Sequence, residues 1–308
     1  MNRFKKFAVF CLSYNVLVIL WGAYVRATGS GAGCGSHWPL CNGEVIPRPE
    51  RIQTWIELTH RLSSGLCLVF AILLMVWAWR TYPKKHPARV AANWTFGLTV
   101  SEALVGAALV LLALVEHDQS VRRAISISIH LVNTLFLLGA LTLTVRFSGL
   151  PLNFNSPEKV SEDKPRRWVL TSLVTVLLLG TTGALTALGD TLFQSKSLAS
   201  GFTQDFARDS HFLVKLRVFH PAMAVLTAIV LYLFSEFSVR WAEARQSDAK
   251  IWARALQGLI LIQMLVGGTN LLLLAPVGLQ MVHLLLADLV WISFVMLSSA
   301  VLSASKRA

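Results

Sequence analysis

Charge is what this chain has least of. Only 14% of its 308 residues are Asp, Glu, Lys or Arg, while 55% are hydrophobic. That balance excludes an ordinary soluble domain. Low-complexity tracts are absent, and the apolar runs leave no stretch for a separate soluble domain. Acidic residues are the scarcer charge, 16 against 28 Lys and Arg, for a net charge of +12. An excess of that size could signal nucleic acid, but its placement along the chain gives it another meaning.

Apolar runs long enough to cross the ~30 Å hydrocarbon core of a bilayer occur near 7–25, 62–79, 93–115, 124–145, 168–188, 212–234, 251–275 and 279–303. The expected fold is therefore an all-α membrane protein with eight transmembrane helices. With Arg3, Lys5 and Lys6 inside, the segments on their side carry most of the Lys and Arg. The positive-inside rule then puts both termini in the cytoplasm of a cell-membrane protein, and no nucleic-acid partner is implied. The first span starts like a signal peptide but lacks a small-x-small cleavage pattern before Arg26, so it reads as retained.

The second half of the chain repeats the first at an offset of about 160 residues. Leu104-Val105-Gly106 returns as Leu265-Val266-Gly267, with Glu102 falling on Gln263, and Gly22-Ala23 returns as Gly183-Ala184. His60 returns as His220, and His130-Leu131 as His283-Leu284. An even number of spans per half gives both halves the same orientation, so two pseudo-symmetric four-helix bundles are expected. Residues 1–150 form the first, 168–308 the second, and 151–167, bearing Pro151, Pro157 and Pro165, a cytoplasmic linker.

On this topology all four histidines sit at one depth, near the outer ends of the second, fourth, sixth and eighth spans. Two imidazoles on facing helices can hold a porphyrin iron from both sides. Alternatively, each histidine hydrogen-bonds a carbonyl between helices. Glu57 lies one turn before His60, facing the same way, yet Thr54-x-x-Glu57 also fits a capping box. The matching position in the second half is Arg217, so the halves differ where chemistry would differ.

Cysteine numbers four. Cys34 and Cys41 share a loop on the outer, oxidising side, which favours a disulfide, structural or redox-active. No Cys-x-x-Cys-His motif offers covalent haem attachment, and a zinc site would need more ligands than the loop supplies. Cys11 and Cys67 fall in apolar spans and read as packing thiols. Glu102 and Asp288 also lie inside spans, as proton-path residues or as hydrogen-bonded buried acids. The Trp residues, Trp291 included, read as an interfacial belt.

Several segments together resemble the heme A synthase family. They are Gly22-Ala23-Tyr24-Val25-Arg26-Ala27-Thr28-Gly29-Ser30-Gly31, the Cys34 to Cys41 loop, Glu57-Leu58-Thr59-His60-Arg61, and the histidines at 130, 220 and 283. The resemblance covers essentially the whole length. It implies a membrane oxidoreductase that converts heme O to heme A, oxidising a ring methyl to a formyl group for cytochrome oxidase. His60 and His130 would take the substrate haem, and His220 and His283 the iron of a haem b cofactor. Glu57 would be the family's essential carboxylate and Cys34 with Cys41 its outer-loop pair. Heme O synthase, an electron acceptor in the membrane and further copies of the chain are the partners to expect. Unlike some bacterial relatives, this chain has no cysteine pair between 189 and 211. The rivals are a di-haem electron carrier of the cytochrome b type and a transporter with a histidine proton relay.

Overall fold

A computed structural model describes residues 2–45, 47, 51–152, 163–243 and 248–303. Among the described residues there is no strand, only an isolated bridge between Cys41 and Glu44. The long helices are α1 (Arg3–Ala27), α2 (Ile52–Thr81), α3 (Pro87–Leu111), α4 (Val121–Phe147) and α5 (Asp163–Leu192). A short helix α6 (Leu198–Phe206) and a single turn α7 (Phe212–Lys215) precede α8 (Phe219–Glu243), α9 (Ala249–Leu272) and α10 (Val277–Ser303). Eight segments, from 24 to 30 residues each, are long and apolar enough to span a membrane, the sixth running from Phe212 to Trp241.

Local chemistry sets the helix starts. The Asn2 side chain accepts the Lys5 N–H at 2.7 Å, Ser120 accepts the Arg123 N–H at 3.2 Å, and Pro87 opens α3 where its missing N–H costs nothing. In the sixth span Pro221 has no N–H to give the Arg217 carbonyl, and the chain tightens there into a 3-10 turn, Leu216–Val218.

Helix α1 packs on α2, α2 on α3 and α3 on α4, which returns against α1. The chain repeats this ring with α5, α8, α9 and α10. Between the rings, α4 meets α5 and α10 while α1 meets α10. Small residues allow this close approach. A Cβ at Gly180 would stand 3.2 Å from Leu131, and one at Gly139 would stand 3.6 Å from the Trp291 ring. The Trp291 indole N–H donates to the Leu135 carbonyl at 2.8 Å across that seam. Trp291 is therefore buried between the rings, a correction to the interfacial belt expected for it. At the opposite end of the bundle from the cysteine loop, Arg146 forms an ion pair with Asp248.

Two differences from the sequence reading affect the site. Helix α2 begins ten residues before its apolar run, so Glu57 and His60 stand inside a formed helix. The region 189–211 contains α6, which apolar periodicity did not announce. Of the expected 151–167 linker, residues 153–162 lie outside the described residues and 163–167 already belong to α5.

Candidate haem-binding cavity

His60, His130, His220 and His283 all line one cavity of about 2340 Å³ that reaches across both rings. A site for one small molecule takes about 300–1,000 Å³, so the space suits more than one large ligand.

Three of the histidines are seated against a glycine of a neighbouring helix. A Cβ at Gly22, Gly183 or Gly267 would stand 2.9 Å from Cε1 of His60, His220 or His283 respectively. Contacts that close do not occur, so glycine at these positions lets the rings approach the adjoining helix this closely. The repeat predicts the fourth seat at Gly106, but a Cβ there would meet nothing within 4 Å. His130 is held differently, with Nδ1 3.0 Å from Glu102 Oε1.

The His220 and His283 ring centres lie 6.4 Å apart with the planes at 89°. A metal–imidazole bond of about 2 Å on each side, plus the distance from nitrogen to ring centre, gives roughly that span for two rings on one iron. His60, His130 and His283 each have an Nδ1 that is buried without an aligned hydrogen-bond partner. Among the described residues no group of three or more His, Cys, Asp and Glu could hold a metal ion. A metal requiring three or four protein ligands does not fit, whereas a porphyrin brings four nitrogens of its own and asks for two axial ligands. The donor set fits haem.

The end of the cavity nearest the histidines is lined by loops, each fastened by a side chain from an even-numbered span. Cys34 and Cys41 form a disulfide. The Cys34 N–H donates to Glu57 Oε2 at 2.8 Å, while Arg61 pairs with the same carboxylate and donates to the His37 and Leu40 carbonyls at 2.5 and 2.7 Å. Arg123 binds the Glu116 and Asp118 carbonyls, and Gln280 binds that of Ala275. Arg217 donates to the Gly189 and Phe193 carbonyls at 2.8 and 2.5 Å and lies 3.2 Å from Asp190. The loop without cysteines is thus closed by a guanidinium instead of a disulfide.

These contacts correct the capping-box reading of Glu57. Arg51 occupies the N-cap without a side-chain bond, and the Thr54 hydroxyl donates to the Gly33 carbonyl at 2.7 Å. Glu57 instead anchors the disulfide loop while lining the cavity. Glu102 accepts from Asn133 at 2.5 Å and from Thr134, so of the two readings left open for it the hydrogen-bonded acid is what the geometry shows. Asp288 also lines the cavity and is buried with Oδ2 unpartnered. Cys11 and Cys67 are free and buried.

Sequence reasoning passes over Arg26, whose guanidinium donates to Ala187 O at 2.6 Å, Thr191 Oγ1 at 2.9 Å and Gln280 Oε1 at 3.3 Å, tying the first ring to the second. It also passes over Arg61 and Arg123. Their position beside the histidines is the available signal, but in the sequence they count only as topology charges.

Comparison with known proteins now decides the lineage. The profile of the COX15-CtaA family, described as a cytochrome oxidase assembly protein, matches residues 5–295. The chain belongs to this family. A protein of Thermus thermophilus, named Protoheme IX farnesyltransferase, is 43% identical over 306 residues, 98% of this chain and 49% of that relative. Proteins named Heme A synthase from Bacillus mycoides and Bacillus cereus are 43% and 42% identical over 111 residues, 36% of each chain. The chain spans about half the length of the Thermus relative it matches.

Proposed function

We propose that this chain is a heme A synthase, oxidising the methyl group of heme O to the formyl group of heme A for cytochrome oxidase assembly. The observation that carries the reading is the pair of unequal histidine sites in one cavity: similar helices carry them, but the acids Glu57 and Glu102 accompany only the first.

In this reading His60 and His130 hold and orient the substrate haem, and His220 with His283 hold a haem b. When bound, the haem b supplies an electron path away from the substrate. Each of two successive oxidations replaces a C–H by a C–OH with oxygen from water, releasing two protons and passing two electrons to the membrane acceptor; the resulting hydrated aldehyde then loses water to leave the formyl group. Glu57 stands on the face of α2 that bears His60 and offers a carboxylate to accept a proton or to stabilise positive charge near the substrate. The arginine-fastened loops line the histidine end of the cavity.

The concentration of Lys and Arg supports a cell-membrane location with both termini cytoplasmic and Cys34 and Cys41 outside. A heme O synthase would supply the substrate, and an electron acceptor in the membrane would complete the cycle. Assembly into homo-oligomers is compatible with the many exposed apolar side chains.

The name of the Thermus relative raises prenyl transfer as a second reading. Against it stands the composition of the cavity. A prenyl diphosphate bound through divalent cations calls for clustered carboxylates, and no cluster of three or more candidate ligands exists among the described residues. The reaction is tested by chromatography of haem extracted after the protein is produced in cells that make heme O but no heme A. Appearance of a formyl haem is the expected result. Unchanged heme O beside a haem-loaded protein would favour the electron carrier, and conversion of protohaem to heme O in cells lacking that step would favour prenyl transfer.

A further inference from the structure

Of the four histidine seats, one breaks the pattern. Gly22, Gly183 and Gly267 press on their imidazoles, but Gly106, the repeat partner of Gly267, touches nothing. In its place Glu102, one turn earlier on α3, brings Oε1 to 3.0 Å from His130 Nδ1. Its counterpart in the second ring, Gln263, lies 3.4 Å from the other ring nitrogen, His283 Nε2, and leaves His283 Nδ1 buried without a partner. The carboxylate cannot swing freely. Asn133 Nδ2 donates to Oε2 at 2.5 Å and the Thr134 hydroxyl to Oε1, and Asn133 also donates to the Leu98 carbonyl at 3.0 Å while accepting from Ser101 at 2.6 Å. Helix α4 thus supplies both the histidine and, within its next turn, the clamp on the acid that faces it.

We propose that Glu102 is a positioning residue for His130: it holds the Nδ1 side of the ring, turns Nε2 toward the iron of the bound haem, and gives the first site a more electron-donating axial ligand than the second. This rests on the reading above that His130 is an axial ligand. A carboxylate facing the non-ligating nitrogen of a metal-bound imidazole fixes its tautomer and raises its basicity. His283 Nδ1 has no such partner. The structure therefore assigns an intrinsic inequality to the two sites, with the oxidised iron held more firmly where a substrate is to be oxidised. The offset of the Nδ1 contact from hydrogen-bond alignment leaves the ring a small rotation to make on loading.

The test uses the full-length protein in detergent, titrated with ferric heme O and followed by absorption and electron paramagnetic resonance. Glu102→Gln is expected to weaken ferric heme O binding at the first site about 10–100-fold and to shift its low-spin signature, while the haem at His220 and His283 keeps its spectrum and reports an intact fold. Glu102→Asp should recover part of the affinity. If Glu102→Gln binds heme O with unchanged affinity and signature while His130→Ala loses it, the assignment of Glu102 is overturned and His130 remains a ligand. If His130→Ala also binds normally, the ligand reading itself fails and takes the proposal with it. Should Glu102→Gln lose both haems through misfolding, Glu102→Asp decides alone, and wild-type affinity with an unshifted low-spin signature in that variant would overturn the inference.

Discussion

Replacing Glu57 by Gln separates its anchoring of the disulfide loop from the chemical duty proposed for its carboxylate. In the wild type one carboxylate oxygen accepts the Cys34 N–H at 2.8 Å and the other pairs with Arg61, whose side chain is 11% exposed against 4% for Glu57. The Gln oxygen can keep the Cys34 bond, but its NH2 group then faces the guanidinium. Breaking a buried ion pair costs about 3–5 kcal/mol. Arg61 retains two carbonyl acceptors, at His37 and Leu40, so a loss of about 2–3 kcal/mol is expected, within the range for hydrogen bonds to charged groups. The loss falls on the loop rather than on the bundle. At 1.4 kcal/mol per factor of ten, the loop should open roughly 30- to 150-fold more often. The assay is the rate at which a hydrophilic phosphine reduces the Cys34–Cys41 disulfide, together with hydrogen exchange at the Cys34 amide. Arg61→Met should loosen the loop at least as much, because it also removes the bonds to the His37 and Leu40 carbonyls. Formyl-haem yield should fall at least ~10²-fold in Glu57→Gln but less in Arg61→Met, because only the first variant removes the carboxylate. Reduction and exchange rates equal to wild type in Glu57→Gln would refute the loop anchor, and equal yields in the two variants would refute the separate chemical duty.

Gly183→Ala puts a methyl group 2.9 Å from His220 Cε1 and should displace the ring, lowering haem content and raising the high-spin fraction in an absorption spectrum. Gly97→Ala, where nothing lies within 4 Å, should instead leave the spectrum alone and stabilise α3 by about 0.5–1 kcal/mol in a denaturant titration. Arg26→Met removes three bonds between the rings and should lower the unfolding free energy by about 2–3 kcal/mol, read by thermal denaturation in detergent; an unchanged midpoint would show that the seam does not depend on it.

The features legible in the sequence were those with a period or a copy. Eight apolar runs mark the spans, and the half-chain repeat puts His60, His130, His220 and His283 at matching positions, which the fold brings to one cavity. Helix α6 escaped because nine residues between two polar loops carry too short a pattern, and α2 was cut short because Gln53, Thr54, Glu57, Thr59 and His60 dilute its first turns. The capping alternative for Glu57 has a physical root. A Thr-x-x-Glu spacing fits a cap equally well whether the acid bonds back to its own helix or out to another segment, and only the distant Cys34 N–H resolves it. Arg61, Arg123 and Arg217 were equally invisible as loop clamps, since the carbonyls they bind belong to segments whose path the sequence does not specify. The Glu102–Gln263 difference was plain in the repeat, but its consequence depended on Gly106 standing clear of the histidine.

The claim at the centre of this account is that the two histidine pairs hold different haems for different purposes. Quantitative extraction of haem from the purified protein, after exposure to heme O, tests it in wild type and two variants side by side. Wild type should yield retained protohaem together with newly formed formyl haem. His60→Ala should keep the protohaem and form no formyl haem, whereas His220→Ala should lose the protohaem. Equal loss of every haem species from both variants, or formyl haem at wild-type yield from His60→Ala, would contradict the division of labour between the two sites.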